Sequence, residues 1–166
     1  FADGADATER FEVERQELVG KLGENLAIIN PARLEGGTLS SYVHPPANKI
    51  GVLVQLDGGT PELARQLAMH ISFGKPEWLD RDGVPAETVA AERQIFANSD
   101  EVQSKPEQAR EKIVEGMLAK RFFAAAPGGV LIDQAWIHDQ SKSVAKVMGE
   151  AGASVKAFRL IAIASS

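Results

Sequence analysis

Cysteine is absent from this sequence, so disulfides, a thiolate nucleophile and cysteine-ligated zinc are all excluded, and a reducing compartment suits the chain. Positive charge is in deficit: 18 Lys and Arg stand against 23 Asp and Glu, for a net charge of −5. There is no basic stripe of the kind a phosphate backbone demands, which argues against direct nucleic-acid binding. Long apolar runs are missing as well. The longest weakly polar stretch, Phe122 to Ile132, is interrupted by Pro127-Gly128-Gly129 and is too short to span a bilayer. No signal-peptide pattern, internal repeat or low-complexity segment occurs, and the expected location is cytoplasmic, with no membrane partner. Phe1 stands where an initiating methionine would, which reads as a processed product or a fragment.

Signatures of catalysis are equally scarce. The three histidines, His44, His70 and His138, have no second histidine or carboxylate at metal-ligand spacing, so no metal is expected. His70 lies on the flank of an apolar stripe and reads as a structural histidine, while His138-Asp139 reads as a turn. No G-x-S-x-G elbow is present to hold a serine in its strained turn. The corner Leu56-Asp57-Gly58-Gly59-Thr60 follows a strand pattern and opens a helix, as phosphate sites do. It lacks both G-x-G-x-x-G and the lysine of a P-loop, and so reads as a plain turn. The acids Glu9 and Glu12 are helix-surface residues. No catalytic residue and no cofactor are therefore expected, and an enzyme is disfavoured; a small hydrolase using His44 or His138 is the competing class.

What remains is patterning. With 44% apolar and 25% charged residues, 166 residues support one or two small domains. Residues 1–10 are polar and small and read as frayed, and Arg10 to Asn25 reads as an amphipathic helix that Gly23 helps to stop. Three strand-like runs follow. Leu26 to Leu34 is an edge or bulged strand because of Pro31, then comes Thr38 to His44, then Lys49 to Leu56 with the alternation of a central strand. Thr60-Pro61-Glu62 combines a capping hydroxyl, proline at the first position and an acid in the first turn. Leu63, Leu67 and Ile71 then form one buried stripe, which Gly74-Lys75-Pro76 ends. Ala86 to Phe123 reads as a helical hairpin. Its first arm, Ala86 to Gln103, extends ~27 Å at 1.5 Å per residue. The return helix opens at Pro106, with Ser104 or Lys105 at the cap. The tip, Asn98 to Glu107, holds a single apolar side chain, so the hairpin is expected to project from the body toward a partner. Val130 to Ile137 reads as extended, Ser141 to Glu150 as a helix and Val155 to Ile163 as a final strand.

The expected class is α+β, a mostly antiparallel sheet packed with helices. Residues 1–85 and 124–166 are expected to form the α+β core, as two similar small subdomains, and residues 86–123 the inserted coiled-coil hairpin.

Taken in order, the segments KLGEN (Lys21 to Asn25), SYVH (Ser41 to His44), IGVLV (Ile50 to Val54), AMHISFGKPEWL (Ala68 to Leu79), KPEQAREKIVEG (Lys105 to Gly116) and LIDQAWIHDQSKSV (Leu131 to Val144) resemble those of the bacterial elongation factor Ts family. The resemblance covers about residues 9 to 163. It implies a core with an inserted coiled-coil hairpin, and a guanine-nucleotide exchange factor that binds elongation factor Tu in its GDP-bound and nucleotide-free states. It further implies that Leu22-Gly23, in KLGEN, and His44, in SYVH, touch the partner. Read without the family, Leu22 is a core-facing helix residue, Gly23 a helix C-cap and His44 the end of a strand. The sequence also departs from the family pattern. A three-helix domain and a Thr-Asp-Phe-Val motif beside the partner's magnesium site are not among these 166 residues. The arginines that typically follow KLGEN are Ile29-Asn30, and the arginine expected after VEG is Met117. The expectation for these residues is binding with weak exchange. The competing reading is a dimerisation or scaffold module in which the Pro31 strand pairs with a second copy.

Overall fold

The computed structural model describes residues 4–28 and 31–163, with side chains from residue 9 onward. Ile29-Asn30 lies outside the described residues. The chain divides into two compact units, residues 1–36 and 37–166.

The first unit contains helix α1, Gly4–Leu22. It begins well before Arg10, so the described part of residues 1–10 is helical rather than frayed. Ala5, Ala7, Glu9 and Arg10 are good helix formers in that opening stretch. Glu12 accepts from both Arg15 Nε and Arg15 Nη2 at 2.7 Å and from Gln16 at 2.8 Å, one turn apart on the helix surface. These bonds hold the Glu12 carboxyl down at about 2. Arg15 Nη1 also donates to the Leu26 carbonyl at 2.9 Å, tying the outgoing chain to the helix. The expected strand from Leu26 to Leu34 does not form among its described residues, which are irregular. Pro31 removes a ladder donor, and no ladder partner takes up this segment.

The second unit is built on a three-stranded antiparallel sheet. Strands β1 (Thr38–Val43), β2 (Ile50–Asp57) and β5 (Ser154–Ala162) lie in the order β1-β2-β5. Val52, Val54 and Leu56 point from the central strand onto helix α2 (Pro61–Gly74), where they meet Ala64, Leu67, Ala68 and Ile71; all are 2% exposed or less. Alanine at 64 and 68 lets the helix approach the sheet closely, and leucine and isoleucine fill the space on either side. Burial of each large side chain contributes about 1.5–3 kcal/mol. Helix α2 starts as its sequence predicts, with Thr60 accepting from the Leu63 N–H at 3.1 Å, and ends at Lys75 in a left-handed turn.

Helices α3 (Ala86–Ala97), α4 (Asp100–Gln103) and α5 (Glu107–Met117) make the hairpin. The single long first arm is broken at Asn98-Ser99, where Ser99 Oγ turns back to the Phe96 carbonyl at 2.6 Å. A serine bonded to its own preceding turn competes with helix continuation. The break folds α4 inward and buries Val102, the tip's one apolar residue, against Val114, Met117 and Leu118. Pro106 is the cap of α5 in place of the expected Ser104 or Lys105, and the helix opens at Glu107, one residue past the expected start. Polar side chains close the tip. Arg110 donates to the carbonyls of Lys105 and Gln103, each at 2.9 Å, and Arg121 forks onto Glu101 at 2.7 and 3.0 Å.

From Leu118 to Phe123 the helix widens to a π turn. The hairpin's base is braced there. Phe122 packs on Trp78 (5.9 Å between ring centres), and the Arg81 guanidinium lies 4.6 Å from the Phe123 ring while bonding Asp133 at 2.8 and 3.0 Å. Gly129 has φ +63, and a Cβ there would lie 2.6 Å from the Phe123 carbonyl oxygen, so no other residue fits. Val130 to Ile137 is only partly extended, with a short 3₁₀ turn at Leu131–Asp133 before β3 (Ala135–Trp136). The expected helix from Ser141 begins instead at Val144. Residues Asp139–Ser143 form β4, which pairs with β3, and Ser143 then caps α6, Val144–Glu150. The result is an α+β chain with antiparallel sheets.

Candidate functional site

Leu22 and Gly23 belong to the first unit. Leu22 is the last residue of α1 and is 60% exposed, so it is not the core-facing residue that helical spacing alone suggests. Gly23 has φ +70, and its N–H donates to the Val19 carbonyl at 2.9 Å, which ends the helix. Nothing lies within 4 Å of the position a Cβ would take there. Together they form an open apolar corner with bare backbone beside it.

His44 belongs to the second unit and directly follows β1. Its N–H donates to the Ile50 carbonyl at 2.9 Å, and its carbonyl accepts from Asn48 at 3.1 Å. Its backbone is thus held on both sides of the turn. The ring is exposed, with Nδ1 3.2 Å from the Tyr42 hydroxyl. Tyr42 and His44 share the lining of a groove of about 570 Å³ with Met69, Phe73, Ile137 and Gln140. Phe73, one residue from the end of α2, is 72% exposed.

His70 serves a different purpose. It is fully buried, stacked on Trp136 at 5.2 Å, and both ring nitrogens are committed: Nε2 lies 2.9 Å from Gln134 Oε1, and Nδ1 accepts from the Ile137 N–H at 3.3 Å. Gln134 is equally buried, and its amide nitrogen donates to the carbonyls of Gly74 (2.9 Å) and Ala125 (2.8 Å) and also meets that of Gly128. Burial pushes the His70 imidazole below its ordinary range, with the Gln134 bond opposing and nearby His138 adding to the shift. The network fastens the end of α2 to the segment that supplies Ile137 and Gln140 to the groove. Sequence patterning marks His70 as structural but does not single out Gln134, which stands beside Asp133 in a mostly apolar run. It does not single out Phe73 or Tyr42 either. His138 is exposed in the β3–β4 turn and meets Trp136 edge-on at 5.3 Å. Among the described residues no group of three or more His, Asp or Glu could hold a metal ion, and no helix is long and apolar enough to cross a membrane.

The exposed Leu22, Gly23 and His44 can be compared with what is known of similar proteins. The family model described as Elongation factor TS matches residues 3–165. Among curated proteins the chain is similar to elongation factor Ts of Pseudomonas fluorescens, with 38% identity across 98% of this chain and 55% of that protein. It is similar also to elongation factor Ts of Pseudomonas syringae pv. tomato, with 39% identity across 95% of this chain and 54% of the relative. The factor of Sodalis glossinidius is 40% identical across 90% of this chain and 50% of the relative. The chain spans about half the length of the curated relatives it matches.

Proposed function

The chain belongs to the elongation factor Ts family, and we propose that it acts in translation elongation as a guanine-nucleotide exchange factor for elongation factor Tu, binding the partner's nucleotide domain. The match over residues 3–165 carries this reading. The exposed Leu22-Gly23 corner and the exposed His44 support it as the contact residues. In this reading the protein is not an enzyme, needs no cofactor or metal, binds no nucleic acid directly and works in the cytoplasm. Residues 1–85 and 124–166 serve as its core, and 86–123 as the inserted hairpin.

An exchange factor breaks no covalent bond. It binds the nucleotide-free partner better than the GDP-bound one, and only that difference shifts the equilibrium. By linkage, GDP weakens the factor's binding to the same degree that the factor weakens GDP binding, tenfold for each ~1.4 kcal/mol. These 166 residues bind the partner but release GDP slowly by themselves, since the Thr-Asp-Phe-Val segment that the resemblance implies for the magnesium site is not among them.

The test is titration calorimetry with nucleotide-depleted elongation factor Tu, beside release of a fluorescent GDP. Leu22→Ala and His44→Ala are each expected to weaken binding by about 1–2 kcal/mol, roughly five- to thirtyfold. No heat of binding from the parent chain would refute the proposal. A dimerisation module is the second reading. One observation favours it: β1 is a sheet edge whose outer residues Leu39 and Val43 are 44% and 55% exposed. Light scattering with and without the partner separates the two.

A further inference from the structure

We propose that Tyr42 is a positioning residue that presents His44 to the partner as an Nε2–H hydrogen-bond donor. The inference rests on the reading of His44 as a contact residue. Residues two apart along an extended chain share one face, so Tyr42 and His44 are neighbours by backbone geometry alone. Tyr42 is half-buried and packs against the main core, which anchors its ring. Its hydroxyl lies 3.2 Å from His44 Nδ1, and the two rings meet edge-on, 6.0 Å apart at 62°.

The direction of that bond follows from chemistry. A phenol is a good donor and a poor acceptor, whereas the bare nitrogen of a neutral imidazole is a good acceptor. The hydroxyl therefore donates to Nδ1. With Nδ1 occupied as acceptor, the proton of the neutral ring resides on Nε2. The Nε2 atom makes no hydrogen bond among the described residues, and the backbone on either side is held by Ile50 and Asn48. Protein contacts thus hold the His44 backbone and one ring nitrogen, and a single N–H is left for an acceptor oxygen on the partner. This preorganisation avoids ordering the side chain on binding.

The test is a double-mutant cycle read together with imidazole spectra. In long-range proton–nitrogen correlation at alkaline pH, the parent chain is expected to carry the His44 proton on Nε2. Tyr42→Phe, which keeps the buried ring and removes only the hydroxyl, is expected to move the ring toward a tautomer mixture. Its affinity for nucleotide-free elongation factor Tu is expected to fall about three- to tenfold, as for one lost hydrogen bond. In the His44→Ala background the same change is expected to alter affinity less than about twofold, because Tyr42 acts only through the histidine. An equal loss in both backgrounds, no loss in either, or a parent ring protonated on Nδ1 would overturn the proposal. A parent chain that binds no elongation factor Tu overturns the functional reading and this proposal with it, whereas normal parent binding with an unmoved Tyr42→Phe overturns this proposal alone.

Discussion

The sheet-and-helix body and the hairpin are stabilised in opposite ways. In the body, β2 and α2 interlock through seven apolar side chains almost wholly removed from water, and the buried polar groups among the described residues are the closed His70–Gln134 network and Ser72, which bonds back to the Met69 carbonyl. In the hairpin four buried residues suffice, and much of the geometry is set by guanidinium groups on backbone carbonyls and carboxylates at the surface. Apolar packing couples every element it touches, so the body is expected to melt as one unit. Exposed polar clamps act locally and contribute little each, so the hairpin tip is expected to open ahead of the body.

The sharpest way to break this contrast is Leu67→Ala. It is expected to lower global stability by about 2–5 kcal/mol through transfer and cavity terms, measured by denaturant melts. A loss confined to one segment in hydrogen exchange would show that the body is not a single unit. Next, Gln134→Leu leaves the His70 Nε2–H and three main-chain carbonyls without their partner, and is expected to cost about 1–3 kcal/mol.

Smaller again is a pH effect. The folded state keeps His70 neutral, while the unfolded chain takes up a proton near the ordinary histidine value of about 6.5. The unfolded state therefore binds more protons as pH falls below that value, and stability declines from there down to the lowered folded value. His70→Asn is expected to flatten this slope in melts recorded above the carboxylate range. The smallest change is Arg110→Ala, expected at about 0.5–1.5 kcal/mol and visible only as faster amide exchange between residues 98 and 110.

The same contrast decides what is legible in the sequence. The alternation of Val52, Val54 and Leu56 and the stripe of Leu63, Leu67 and Ile71 announce a central strand and its covering helix, because burial imposes those periods directly. Thr60-Pro61-Glu62 announces a helix start for a local reason that needs no tertiary context. The break at Asn98-Ser99 is not legible. It depends on Val102 finding Val114 and Met117 across the turn, a gain that no window of sequence displays. The segment from Ser141 carries helical spacing yet pairs first with β3, since a neighbouring strand outweighs weak local preference. Among the candidate contact residues, Leu22 and Gly23 in the first unit and His44 in the second stand out through family resemblance rather than residue physics. Leu22 read by itself looks buried. Tyr42 shares a strand face with His44 by spacing alone, but the approach of its hydroxyl to Nδ1 shows only once the chain is folded.

The wide turn at Leu118–Phe123 accommodates one more residue than regular winding would. Its underwinding roughly offsets the ~100° which that residue would add, so the helix leaves the turn on nearly the face it entered, with Phe122 on Trp78 and Phe123 beside the Arg81 guanidinium. Excising one residue is therefore expected to restore regular winding and leave both rings close to their seat. The turn is a place where the chain can change its length while the base of the hairpin keeps its bearing.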